Sequence, residues 1–349
     1  MLVLWEGCGV MVVSIKDVAS RAGVSAGTVS NVFSGNRVVK PDLAERVRRA
    51  ATDLGYQPDR AASQLRAGKA KVVAAIVPDL NNPFFTSLIA SIEASVRGEG
   101  YDIIVASSHG DAEEEARRLS ALLGWKPAGV VIIPCTDEFA SRELLSGSGV
   151  PFVVADRVPS LFDGDAVTVD NVDAGVKAAE HLVALGHRQF VVAASSMKLQ
   201  NIRERCEGIE AVLSREGLAA PILIEVGLDF DTAAERLGTF MEGERQATAF
   251  IALTNFATLG ILASANKNGL SVPQDISVLG FDDYSWMHAF KPPLTAIRQP
   301  VDEMGRAIWN RLRGHLSDES QPSARERLLC DLLVRASTGA PAAEGVRSA

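Results

Sequence analysis

Residues 15–35 read Ile15-Lys-Asp-Val-Ala-Ser-Arg-Ala-Gly-Val-Ser-Ala-Gly-Thr-Val-Ser-Asn-Val-Phe-Ser-Gly35. Ser14 can cap a helix over residues 15–21, and Gly23 breaks it. Ser25 then caps a second helix running to about Phe33, which Gly35-Asn36 ends. Further on, Pro41 sits in the first turn of a third helix that reaches Leu54 and stops at Gly55. Ile15, Val18, Ala19, Ala22, Val24, Val29, Val32, Val47, Ala51 and Leu54 have the helical spacing to close a small three-helix core. A core of that size is marginal alone.

Charge sets this segment apart. Between Ser14 and Lys71 eleven basic residues stand against five acidic ones, whereas the whole chain of 349 residues carries −8. The segment thus has a surplus of about six, and the remainder holds about −14. A basic head on an acidic body is the balance expected of a DNA-binding module carried by a ligand-sensing one. Apolar residues make up 47% and charged ones 22%, as in a soluble globular protein of two or three domains. No apolar run approaches the roughly 18 residues that a membrane span requires. Residues 1–10 are apolar but lack a basic start and a cleavage site, so they read as an extension, with Met11 the more natural beginning. Cys8, Cys135, Cys206 and Cys330 share no metal-ligand or redox spacing and read as scattered, reduced cysteines.

After Tyr56-Gln57-Pro58 comes a short polar-alanine stretch, residues 60–66, and from Val72 the pattern changes. Apolar runs of strand length cover residues 72–77, 103–106, 130–133, 152–155, 190–193, 222–226, 249–253 and 276–281. Between them lie amphipathic helical patterns over 84–97, 113–123, 172–185, 203–215, 232–242 and 258–268. Apolar strands alternating with helices mean parallel sheets covered on both faces. This length makes two open α/β lobes, with a ligand expected in the crevice at the strands' carboxyl ends. A Ser/Ala/Gly-rich tail from Thr338 is expected to fray.

The string 15–35, continuing through residues 38–65, resembles the helix-turn-helix of the lactose/galactose repressor family. The likeness extends along the body, from Val77-Pro-Asp-Leu-Asn-Asn-Pro-Phe-Phe85 to Leu333-Val-Arg-Ala-Ser-Thr338. Landmarks between include Val169-Asp-Asn171, Pro273-Gln-Asp-Ile-Ser-Val-Leu-Gly-Phe-Asp282 and Pro293-Leu-Thr-Ala-Ile-Arg-Gln-Pro300. The resemblance implies an all-α helix-turn-helix DNA-binding head joined to an α/β periplasmic-binding-protein type I body, a two-lobed clam shell. It implies an extension over 1–13, a head over 14–58, a hinge helix over 59–70, an effector-binding and dimerisation body over 71–337, and a tail over 338–349. The lobes would comprise about 71–168 with 299–329, and about 169–298 with 330–337, crossing near Val169, Arg298 and Cys330.

On this resemblance, residues 25–33 are the recognition helix. Ser25, Thr28 and Ser30 would meet phosphate or the groove edge; Ala26, Gly27 and Asn31 fall where the family reads bases, and Asn31 can contact adenine bidentately. The alternative is that Thr28, Ser30 and Asn31 only solvate a helix surface. Arg37 would reach guanine or phosphate. Ala26-Gly27 departs from the family in offering almost no side chain, and Lys40 stands where a Ser/Thr cap is usual, exchanging the cap for a phosphate contact. In the hinge, Leu65 would wedge into the minor groove with Arg60 and Arg66 beside it, or the stretch is a plain linker. In the body, Asp156 after strand 152–155, Arg205 opening a helix after strand 190–193, and Asp282 after strand 276–281 align with ligand-contacting positions. Phe84 and Trp286 are stacking candidates, and Asn255 is a further polar one. The ordinary alternatives are core packing for the aromatics and helix capping for the polar groups.

The function implied is that of a sequence-specific transcription regulator, a repressor whose operator affinity a small ligand controls allosterically. The ligand expected is a sugar or sugar derivative. Leu199 stands where purine-binding relatives carry a second arginine, which weakens a nucleobase reading. The partners expected are a near-palindromic duplex and a second copy of the chain, with no membrane, metal or cofactor; the location is cytoplasmic, at the nucleoid. A dimer is favoured because no leucine heptads follow Val334. A transporter's solute-binding protein would share the body but should carry a signal peptide and no basic head. An enzyme is disfavoured, since the chain has no G-x-S-x-G elbow, Walker loop, H-E-x-x-H or dinucleotide fingerprint. The histidines His109, His181, His187, His288 and His315 are dispersed, and His181 with His187 reads as helix-end structure.

Overall fold

The computed structural model describes residues 13–34, 37–56, 71–243, 247–317 and 322–341. These belong to two compact units that divide between residues 70 and 71. Among the described residues no helix is long and apolar enough to cross a membrane. Residues 1–12 of the expected extension, the hinge residues Arg60, Leu65 and Arg66, and the tail beyond Pro341 lie outside the described residues, whereas Val13 packs against the core of the head.

In the first unit, α1 (Ile15–Ala22), α2 (Ala26–Ser34) and α3 (Pro41–Leu54) form where the sequence signals put them. Ser14 donates to the Asp17 carboxylate from its hydroxyl (2.7 Å) and its amide (2.8 Å), and these bonds hold the carboxyl below its usual range. Gly23 ends α1 in a left-handed conformation, φ +64°. A side chain there would be strained, and its Cβ would sit 3.1 Å from Arg46 Nη2. That arginine donates to the Ala22 carbonyl, fastening α3 to the end of α1. Val18, Val29 and Val47 are fully buried, with alanines between and Ile15, Val24, Val32 and Leu54 packed around them. Lys40 precedes α3 without a side-chain cap bond, and Pro41 opens the helix instead.

The second unit holds two six-stranded sheets. The first runs β11-β5-β4-β3-β1-β2, from β1 (Val72–Val77), β2 (Asp102–Ser107), β3 (Gly129–Ile132), β4 (Phe152–Ala155), β5 (Ala166–Val169) and β11 (Arg325–Leu328). The second runs β12-β10-β9-β8-β6-β7, from β6 (Phe190–Ala194), β7 (Ile222–Glu225), β8 (Ala249–Ala252), β9 (Ser277–Phe281), β10 (Thr295–Arg298) and β12 (Asp331–Leu333). Every pairing is parallel except β10 with β12. Four strands escape the sequence pattern: β5, β10, β11 and β12. Each has only three or four residues, and β11 and β12 are edges, β11 with a single apolar residue, Leu328. The chain leaves the first sheet after β5, returns after β10, and leaves again between β11 and β12.

Helices cover both faces of each sheet, as parallel strands require. On the first, α4 (Pro83–Arg97) and α12 (Val301–Gly314) lie opposite α5 (Ala112–Leu123) and α6 (Arg142–Ser148). On the second, α7 (Asn171–Ala184) and α8 (Gln200–Arg215) lie opposite α9 (Phe230–Glu242) and α10 (Asn255–Lys267), with the short α11 (Ser285–Ala289) near the latter. Asn82, Asp111, Asp170, Asp229 and Thr254 each cap the helix that follows a strand. The loops at the strands' carboxyl ends are thereby held short and ordered. Cys135, Cys206 and Cys330 are free, and burial pushes each thiol up to about 12, which leaves them unreactive.

Thr338 does not begin a frayed tail, contrary to expectation. Its hydroxyl lies 2.8 Å from His181 Nε2, and the Gly339 carbonyl accepts from His187 Nε2 at 2.9 Å. Small residues let this segment lie close against the two histidines, so a composition typical of fraying here reports packing.

Gly175 on α7 and Gly208 on α8 bring these helices into backbone contact. A Cβ at Gly175 would fall 2.1 Å from the Arg205 carbonyl oxygen, and one at Gly208 2.1 Å from that of Val172. Gly175→Ala should therefore force the helices apart and destabilise the unit by about 2–3 kcal/mol. Urea denaturation followed by circular dichroism measures this; a change below about 0.5 kcal/mol would mean that the contact relaxes freely.

Candidate functional site

In the first unit, α2 turns Val29 to the core and small polar residues away from it. On α2, Val29 is buried, whereas Ser25 and Gly27 are exposed and Ala26, Thr28, Ser30 and Asn31 are half-buried. The Ser25 hydroxyl accepts from the Thr28 amide at 3.1 Å and lies 3.0 Å from Thr28 Oγ1, so both hydroxyls gather at the helix N-terminus. That end carries free N–H groups and a partial positive charge suited to a phosphate. The Asn31 side chain has no hydrogen bond within the described residues, leaving its amide group free to meet a partner outside the unit. Arg37 and Lys40 are exposed beyond the helix.

In the second unit, β4 and β9 occupy the same place in their two sheets, and each delivers an aspartate. Asp156 follows β4 with φ +58°, and Asp282 follows β9 with φ +68°. Left-handed backbone is disfavoured for most side chains but tolerated by Asp, whose short polar group bonds locally. The turn aims both carboxyls inward, and both are buried. Burial raises each above the ordinary carboxylate range, against the opposing pull of Arg205. Gln299 Nε2 donates to Asp282 Oδ1 at 2.6 Å and the Tyr284 hydroxyl donates to Oδ2 at 3.0 Å. Asn201 Nδ2 approaches Asp156 Oδ2 at 3.5 Å, at the limit of a bond.

Arg205 is 3% exposed and fixed on three sides. Its Nε donates to Asn171 Oδ1 (2.9 Å), its Nη1 donates to the Leu253 carbonyl (2.7 Å), and its Cζ lies 3.7 Å from the Phe281 ring centroid. Two of its five N–H donors are thus used. Arg205 lies in the second turn of α8, not at its opening: Leu199 and Gln200 begin the helix earlier than the apolar period indicates.

Asp156, Arg205, Asp282 and Phe84 line one cavity of about 30 Å³, together with Arg157 and Gln299. That is room for a couple of waters, so a sugar-sized molecule requires the two lobes to part. Such parting breaks bonds that bridge the lobes. Arg203 of α8 pairs with Asp137, which follows β3, and the Gln200 amide donates to the same carboxylate at 3.2 Å. A second cavity of about 460 Å³ shares Phe84, Asp282 and Gln299 with the first.

Two sequence-read candidates do not join this group. Trp286 packs with Phe230, Leu259 and Phe290 around a separate cavity of about 750 Å³ on the second lobe. Its place on the helix after Asp282 turns it outward to that groove. Asn255 is buried in the first turn of α10 but does not line the small cavity; Thr254, which caps the helix, does. Conversely, Arg157, Gln299, Asn201, Tyr284 and Asp137 carry no pattern that sequence alone distinguishes. Only the adjacency of Arg157 to Asp156 could have flagged one of them.

Residues 14–59 match the family model described as bacterial regulatory proteins, lacI family, and residues 179–338 match the periplasmic binding protein-like domain. Catabolite control protein A of Priestia megaterium is 29% identical over 331 residues, covering 94% of this chain and 100% of that one. The ribose operon repressor of Escherichia coli K12 is 28% identical over 93% of this chain and 99% of its own. Among solved structures, the lac repressor dimer bound to operator and the anti-inducer ONPF superposes with a TM-score of 0.83 at 25% identity, covering 94% of this chain and 99% of that one. A transcriptional regulator CelR–cellobiose complex superposes at 0.71 with 26% identity over 93% and 99%.

The raised Asp282 carboxyl makes a signed prediction. A group whose folded pKa exceeds its unfolded value stabilises the fold at low pH and loses that contribution as pH rises through the folded value. Asp282→Asn should therefore melt a few degrees higher than the parent at pH 7, about 1 kcal/mol in stability, and the gap should close as pH falls toward 4. Scanning calorimetry across this range reads it; a gap that widens on acidification would reverse the assigned cause.

Proposed function

Since this chain belongs to the lacI family of bacterial regulatory proteins and is a DNA-binding transcription regulator, we propose that it is a repressor whose grip on its operator is set by a small hydroxylated effector held between the lobes. The carrying observation is the convergence of Asp156, Asp282 and Arg205 on one cavity beneath Phe84. Carboxylates accept from vicinal hydroxyls, and arginine donates to ring or hydroxyl oxygens. Asn201 and Gln299 line the same cavity, and the amide oxygen of each is buried without a donor. An unmet buried acceptor costs about 1–3 kcal/mol, and a ligand rich in hydroxyls meets both. This favours a sugar or sugar derivative over an apolar effector.

DNA contact is assigned to Ser25, Ala26, Gly27, Thr28, Ser30, Asn31, Arg37 and Lys40, with Arg60 and Leu65 acting from the hinge. Asn31, with Ala26 and Gly27, faces the base edges, while Ser25, Thr28 and Ser30 meet phosphate or the groove edge. Arg37 reaches guanine or phosphate, Lys40 reaches phosphate, and Leu65 wedges into the minor groove beside Arg60. Two copies would bind a near-palindromic site with half-sites roughly 10 base pairs apart, at the nucleoid in the cytoplasm. Effector binding biases the lobe angle, and residues 59–70 pass the change to the paired heads. Coupling of this kind is about 1–3 kcal/mol and reciprocal, so operator DNA changes effector affinity by the same factor.

The test begins by selecting operators from a random duplex library with the full chain, followed by electrophoretic mobility shifts. Asn31→Ala should weaken the selected operator by 1–3 kcal/mol, about 5- to 150-fold, while random duplex binding changes little. Equal affinity for selected and random duplexes would overturn the proposal. Release or tightening of the complex by a sugar identifies the effector class; sensitivity that survives Asp282→Ala places the ligand elsewhere.

A further inference from the structure

Resting on the reading of the cleft as the effector site, we propose that Arg157 makes it a receptor for an anionic group, a phosphate ester or a carboxylate carried by the hydroxylated effector. Arg157 follows the left-handed turn at Asp156 and lines the same small cavity as Arg205. Its Nε is buried without a partner. Among the described residues its side chain forms neither a hydrogen bond nor an ion pair, its one side-chain contact of note being with the Phe85 ring, 5.3 Å from Cζ to centroid.

Other arginines of this unit behave differently. Arg335 donates to the Leu294 carbonyl and pairs with Asp283; Arg203 donates to the Met197 carbonyl and pairs with Asp137. Arg157 is half-buried, and its buried Nε goes without the acceptor that such a donor normally finds, at a cost of about 1–3 kcal/mol. The carboxylates nearest Arg157 are committed elsewhere. Asp137 takes the Gln200 amide and Arg203, while Asp156 is approached by Asn201 and acts on Arg157 only through space.

The second cleft arginine sharpens the point. Arg205 also lacks an ion pair among the described residues, its two protein acceptors being neutral. Two guanidiniums without ion pairs among the described residues thus line one cavity. An oxyanion between them offers acceptors, in fork geometry, to the N–H donors that the protein leaves unfilled. The ligand's hydroxyls would then fall on the side of Asp282, Gln299 and Asn201. A neutral polyol meets those acceptors but offers the guanidiniums only the weaker, uncharged acceptor of a hydroxyl.

The experiment titrates the full chain with inorganic phosphate and, separately, with acetate, at constant ionic strength held by chloride. Calorimetry and thermal shift are the readouts. Parallel titrations use ribose and glucose. Saturable binding of phosphate or acetate is expected, weakened about tenfold or more in Arg157→Gln and partly kept in Arg157→Lys, which retains the charge. Phosphate alone assigns an ester and acetate alone a carboxylate, either supporting the proposal. No saturable response to either anion overturns it, as does a response that Arg157→Gln leaves unchanged. Response to the neutral sugars alone overturns it too, yet leaves the effector cleft standing.

Discussion

The guanidinium of Arg205, stacked on Phe281 and bonded to Asn171 and the Leu253 carbonyl, is the contact on which the rest of the body depends. It joins four elements: its own helix α8, the start of α7, the end of β8 and the end of β9. None could shift by an ångström without opening a bond to a buried charge, a costly event in low dielectric. The close approach of α7 and α8 at Gly175 and Gly208 sets the geometry from behind. A charge held this rigidly meets a ligand without spending further side-chain entropy.

Around that charge the two lobes repeat one plan. Strand order is equivalent in the two sheets, and the strands in matching positions, β4 and β9, end in aspartates with left-handed backbone. Strain and desolvation are thus concentrated where ligand is expected, a common arrangement at functional sites. Buried carboxyls and unfilled amide acceptors make the shut cleft a moderately unfavourable state that suitable hydroxyls would relieve. The bonds from Asp137 to Arg203 and to the Gln200 amide act in the opposite sense, holding the lobes together. A balance of this kind is what a small ligand can tip, since a differential affinity of a few kcal/mol suffices to move a two-state equilibrium.

The head works by different physics. Its core is a few valines and alanines, and its order comes from caps and stops: Ser14 with Asp17, Gly23 beside Arg46, Pro41, and Gly55. These are local interactions between residues close in sequence, apart from Arg46 reaching the Ala22 carbonyl. Their result is a helix whose outward residues have little to do within the unit, which suits a surface reserved for a groove.

That contrast explains what was legible beforehand. Helix caps, glycine stops and apolar periods act over a few residues, so the amino-acid string alone determined the three-helix head, the alternating α/β body and the strand-end aspartates. By likeness to a family whose motifs run the length of the chain, it also pointed to Phe84 and Arg205, which share a cavity with those aspartates. Tertiary structure alone decided which side chains share a cavity. It turned Trp286 away, set Asn255 aside, and gathered Arg157, Gln299 and Asn201, residues far apart in sequence whose neighbourhood no local period encodes. The edge strand β11, Arg325-Glu-Arg-Leu328, belongs to the same class, because pairing across the sheet, and not intrinsic apolar pattern, makes it a strand.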